Sequence, residues 1–113
     1  IIGAPVQAVT PLSRQLGAQA RASGLTIRPS SDTATDHILK GYFSAFGDGG
    51  TITVVYVWDI LDNEGARLHR MQGQEQIAYT AKNPWTAVPA ATMEAIATKT
   101  IRDYLAWKDE RAG

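Results

Sequence analysis

The chain reads as an α+β domain: an antiparallel three-strand meander extended by a short N-terminal βαβ unit, with two helices packed on one face. Three observations predict this. Residues 51–62 are dense in β-branched and aromatic side chains, the types that fit a pleated surface. Turn residues bracket that run, with Gly47, Asp48, Gly49 and Gly50 before it and Asp62, Asn63, Glu64 and Gly65 after it. Stretches with helical periodicity lie on either side of the sheet region.

The central run alternates between two faces. Ile52, Val54, Tyr56, Trp58 and Ile60 share one, while Thr53, Val55, Val57, Asp59 and Leu61 share the other. Neither is polar throughout, so the strand is expected to be central and covered at least in part on both faces. The strand before it spans residues 37–46, with Ile38, Leu39, Tyr42, Phe43 and Phe46 as its large apolar side chains. The strand after it spans residues 66–79 and is more polar, which predicts an outer, partly solvated position, bulged near Gly73.

Ahead of the meander, Ile1 and Ile2 predict a short strand that ends at Pro5, which donates no ladder bond. Thr10 followed by Pro11 reads as a helix start, a hydroxyl cap before the one position where a missing N–H costs nothing. Leu12, Leu16 and Ala20 recur at spacings of four, and Gly24 supplies the stop. Leu25, Thr26 and Ile27 predict a second brief strand, completing the βαβ unit, and residues 29–36 read as a polar loop. After the sheet, residues 82–86 form a break, and a long helix starts between Ala87 and Pro89. Its stripe is Met93, Ile96, Ala97, Thr100, Ile101, Tyr104 and Leu105.

Length and composition bound the function. The 113 residues make one domain, 1–113, with room for a single core. Eleven basic residues balance eleven acidic ones, so nucleic acid is not an expected partner, since neutralising phosphates needs a surplus of Lys and Arg. With no cysteine there is no disulfide, thiolate metal site or thiol nucleophile in this sequence. Asp59, Asp62 and Glu64 lack the spacing of a calcium loop, and the Gly47–Gly50 glycines lack the Lys and following helix of a phosphate loop. No catalytic residue, cofactor or metal is therefore assigned.

Two constellations remain. His37 and His69 fall on strands of the meander and are the starting point for any acid–base chemistry, although no activated nucleophile accompanies them. Trp85 and Trp107 occupy rim positions where aromatics anchor partners, and Lys40 and Tyr42, with Ser44, mark an exposed sheet face; these four, Trp85, Trp107, Tyr42 and Lys40, are the candidate partner-binding residues.

Asp36, His37, Ile38, Leu39, Lys40, Gly41 and Tyr42 resemble the strand opening of the TolB N-terminal domain type, shared with penicillin-binding-protein activator lipoproteins. Residues 58–65, from Trp58 to Gly65, are similar to that family's second hairpin, where an aspartate and a glycine flank the turn. Thr35 and His37 depart from the family's Ala and Tyr, and Glu64 stands where its Thr does. The resemblance implies a periplasmic, outer-membrane-anchored adaptor without catalytic residues, held by a lipid upstream of Ile1, with an envelope protein as partner. Two other functions are weighed beside it: a carrier of a small apolar ligand lined by Phe43, Trp58 and Tyr104, and a hydrolytic enzyme using His37 and His69.

Overall fold

A computed structural model describes residues 1–25, 37–78 and 82–112. In chain order these form helix α1 (Val6–Ala22), strands β1 (Ile38–Asp48), β2 (Thr51–Leu61) and β3 (Arg67–Ile77), a 3-10 turn (Pro84–Ala87) and helix α2 (Ala90–Ala112). The sheet is an antiparallel meander in the order β1-β2-β3, so the apolar run of residues 51–61 is its centre.

Both reversals follow from the turn residues. Gly49 and Gly50 take φ of +57° and +86°, the paired left-handed conformation of a two-residue hairpin, and Asp48 pairs directly with Thr51. At the other end the Asp62 carboxylate accepts from the backbone N–H groups of Glu64 and Ala66, each at 2.9 Å, and Asp62 N–H donates to the Ala66 carbonyl. An Asx turn thus closes the loop, with Gly65 supplying its positive φ.

β2 points Ile52, Val54, Tyr56, Trp58 and Ile60 into the core, all buried. Val54, Tyr56, Trp58 and Ile60 cluster with Ala8 and Leu12 of α1, Met93, Ile96, Ala97 and Tyr104 of α2, Phe43 of β1 and Met71 of β3. The long stripe of α2 is buried from Met93 to Tyr104 as its spacing predicts, with Leu105 only half-buried, and Thr100, 2% exposed within it, is satisfied by donating its hydroxyl to the Ile96 carbonyl. α2 packs against α1, where the Gln15 side-chain amide donates to Thr98 Oγ1 at 3.1 Å.

Several expectations change. α1 begins at Val6, ahead of Thr10, and Pro11 lies inside it. Burial of Ala8 against the core holds the extra turn, and Pro5 receives the first backbone bonds from Ala8 and Val9. Its end is a Schellman motif: Leu25 N–H donates to the Ala20 carbonyl, Gly24 N–H to that of Arg21, and Gly24 has φ +78°. No N-terminal βαβ unit is seen among the described residues. Ile2 makes one parallel bridge to Tyr42, and the proposed strand at Leu25, Thr26 and Ile27 extends beyond the described residues, as does the loop at 29–36.

The bulge also moves. Gly73 pairs in register with Tyr56, and the irregularity lies where Ile60 faces His69 but Leu61 faces Arg67, which leaves Leu68 as the extra residue. Gly73 is a glycine for a different reason: a Cβ there would come within 2.5 Å of the Tyr56 hydroxyl oxygen.

Candidate functional site

Strand alternation and the two registers generate the site. Since even positions of β2 face the helices, its odd positions face outward, and Tyr42, Ser44 and Phe46 of β1 pair with Val57, Val55 and Thr53, while Gln72, Gln74 and Gln76 of β3 pair with the same three residues from the other side. No described helix or strand covers this outer face. The partial cover that sequence alternation predicts for this face comes laterally, from the neighbouring side chains of β1 and β3, with Thr53 and Asp59 buried. Val55 and Val57 are half-buried, whereas Tyr42 keeps 37% and Phe46 52% of its surface exposed.

One end of this face is charged. Asp59, 7% exposed, lies opposite Lys40 on one side and Arg70 on the other. The Arg70 guanidinium grips it with two bonds, Nε to Oδ1 at 2.7 Å and Nη2 to Oδ2 at 3.0 Å, and Arg67 stands 3.9 Å away. The hydrogen bond from Arg70, helped by the positive charges of Arg70, Arg67 and Lys40, holds the Asp59 carboxyl below its usual range against the opposing effect of desolvation. The Lys40 ammonium also lies 5.7 Å from the centroid of the Tyr42 ring. At the hairpin end a depression of about 460 Å³ is lined by Phe46, Asp48, Thr51, Thr53, Gln74 and Gln76.

The four candidate partner-binding residues therefore separate. Lys40 and Tyr42 lie on the outer face. Trp85 and Trp107 are half-buried and pack against the core from the helix side. Trp85 is set by the turn before α2, where its backbone N–H donates to the Asn83 side-chain oxygen at 3.1 Å. Phe46, Val55 and Val57, together with the three glutamines, complete the face; period-two alternation combined with the hairpin registers would have found them.

The histidines converge, but on an indole. His37 meets Trp107 edge-on at 5.2 Å between ring centroids, and His69 stacks on it at 5.5 Å with planes 9° apart. Arg111 lies 4.9 Å over the same ring, and His37 Nδ1 shares a 2.7 Å hydrogen bond with the Tyr104 hydroxyl. The arrangement ties the end of α2 to β3 and to the residue just before β1 by ring contacts. Among the described residues no group of three His, Cys, Asp or Glu side chains is placed to hold a metal ion. Phe43, Trp58 and Tyr104, the residues considered as a ligand lining, are buried, with Phe43 stacked on Tyr56 and edge-on to Trp58. Burial pushes the Tyr56 phenol up, partly offset by the nearby charge of Lys99, yet among the described residues no hydrogen-bond geometry is satisfied at its hydroxyl or at Trp58 Nε1.

No protein-family model, curated protein or solved structure matches the chain.

Proposed function

We propose that this domain is a non-catalytic protein-binding module of the bacterial cell envelope, periplasmic and tethered through a lipid upstream of Ile1, that docks a protein partner on the outer face of its sheet. One observation carries the docking reading. The exposed rings of Tyr42 and Phe46 flank half-buried Val55 and Val57 on a face that no described element covers. Apolar surface of this kind, rimmed by Lys40, Arg70 and the glutamines, has the composition of a contact patch. The envelope placement is supported by the likeness of residues 36–42 and 58–65 to envelope-domain strands and turns; no helix of the described residues is long and apolar enough to cross a membrane.

The test is site-specific photo-crosslinking in cells, with the reactive residue placed at Tyr42, Phe46 or Val57 and, as a comparison, at exposed Ser13 of α1. A discrete adduct from the sheet positions that is absent from Ser13, and that disappears on adding Val55→Glu, supports the reading. Equal labelling from Ser13, or none from the sheet, rejects it. Fractionation of the same cells tests the compartment independently.

A further inference from the structure

The far edge of β3 is a second, separate feature. Among the described residues nothing pairs with it. Its polarity can be read across the sheet: Ile2 N–H donates to the Gly41 carbonyl at 2.8 Å and Phe43 N–H donates to the Ile2 carbonyl at 2.7 Å, so the main-chain groups of Gly41 and Phe43 point away from β2. Following the unshifted register through both ladders, the odd residues of β3 bond to β2, and Arg70, Gln72, Gln74 and Gln76 direct their N–H and C=O groups to the open edge. Natural edges are blunted by shortness, by Lys or Pro, or by bulges. β3 is eleven residues long, has neither Lys nor Pro, and bulges only at Leu68 near its start.

We propose that this edge pairs antiparallel with the β3 of a second copy of the chain, about a two-fold axis at Gln72, to make a continuous six-stranded sheet. Gln72 is the midpoint of Arg67–Ile77, so this axis overlaps the whole strand. It is also the self-complementary choice. Gln72 faces the partner's Gln72, Gln74 faces the partner's Arg70, His69 faces the partner's Glu75, and the Met71 side chain falls beside the partner's Gly73. No like charges meet. Moving the axis to Arg70 would set two guanidinium groups directly opposite, which is destabilising. The three pairs formed by residues 70, 72 and 74 exchange about six main-chain hydrogen bonds, since each such pair shares two. The outer faces of the two copies become one surface, whatever occupies it.

Because the chain lacks cysteine, single substitutions read the register directly. In this pairing Gln72 and its symmetry mate are roughly 5.5 Å apart at Cα, within disulfide range. Two Gln74 positions are roughly 14 Å apart, four residues of strand rise, and outside it. The expected results are a mass of twice the monomer by light scattering, and rapid oxidative cross-linking of Gln72→Cys but not of Gln74→Cys or Gln76→Cys. A monomer at high micromolar concentration overturns the proposal, and so does equal cross-linking at all three sites. Gln74→Pro removes an edge-facing N–H that, among the described residues, bonds to nothing inside the protomer, and it should give a folded monomer. If that variant does not fold, Gln72→Lys, which sets two ammonium groups across the axis, should shift the dimer to monomer at low salt. A dimer that survives Gln72→Lys unchanged at low salt rules the pairing out.

Discussion

The indole of Trp58 on β2 lies across Gly41 on β1, so close that a Cβ added at Gly41 would sit 2.7 Å from a ring carbon. Tyr56 has the same relationship with Gly73 on the opposite neighbour. Each large ring of the central strand thus occupies the space that an absent side chain leaves on an adjoining strand, one to each side.

Replacing either glycine should therefore overpack the core. Gly41→Ala and Gly73→Ala are each expected to cost about 1–3 kcal/mol, the usual penalty for an inserted methyl in a filled interior. Gly47 lies on the same β1 strand, but its nearest neighbour to an added Cβ is 3.9 Å away. Gly47→Ala should be neutral or stabilising by about 0.4–1 kcal/mol, through loss of unfolded-state freedom. Urea unfolding midpoints of the three variants check the contrast.

The stripe of α2 predicts graded losses. Ile96→Ala and Ile101→Ala remove side chains with 0% and 5% of their surface exposed, and each should lower stability by about 2–5 kcal/mol. Arg102→Ala, on the exposed side of the same helix, should fall within about 0.5 kcal/mol of the parent. Equal midpoints for all three would contradict the packing of α2 on the sheet.

Asp59 makes stability acid-sensitive. Its folded-state pKa lies below the unfolded value, chiefly because Arg70 hydrogen-bonds the charged form. Between those two values the unfolded chain binds the extra proton, so stability rises with pH there. The contribution is complete above the unfolded value of about 3.9 and is lost as pH falls through the lower, folded value. Unfolding midpoints measured through this acid range should show a shallower slope for Asp59→Asn than for the parent.

Trp107 is a shared contact for His37, His69 and Arg111. Trp107→Ala should cost about 2 kcal/mol, below the 3–5 kcal/mol typical of fully buried Trp because the ring is half-buried. Arg111→Ala should cost under about 1 kcal/mol, as expected for an exposed cation over a ring. Thermal unfolding followed by near-ultraviolet circular dichroism would report both stability and the ring environment.

The central strand and α2 were legible because their patterns are long and each follows one period: Ile52 to Ile60 at spacing two, Met93 to Tyr104 at three and four. The start of α1 was obscured because Thr10 and Pro11 form a good local start signal, while the turn before them depends on burying Ala8, a tertiary effect. Gly73 suggested a bulge since a missing side chain reads as weak pairing; its true cause, the Tyr56 ring opposite, requires the register. At the site, Lys40 and Tyr42 were visible as exposed sheet positions. Phe46 was hidden among the apolar residues of its strand, and the contacts of Trp107 were out of reach because the imidazoles that engage it come from β3 and from the residue just before β1, far from α2 in sequence.

Thr53, Val55 and Val57 answer to their lateral neighbours on β1 and β3, whereas Val54, Tyr56 and Trp58 answer to the helical layer beneath. Divergence at the first set is thereby uncoupled from foldability: the exterior can be rewritten residue by residue while the skeleton persists. Related chains built on this plan would be free to present unlike recognition surfaces, and likeness among them should persist longest at alternate positions of a single strand.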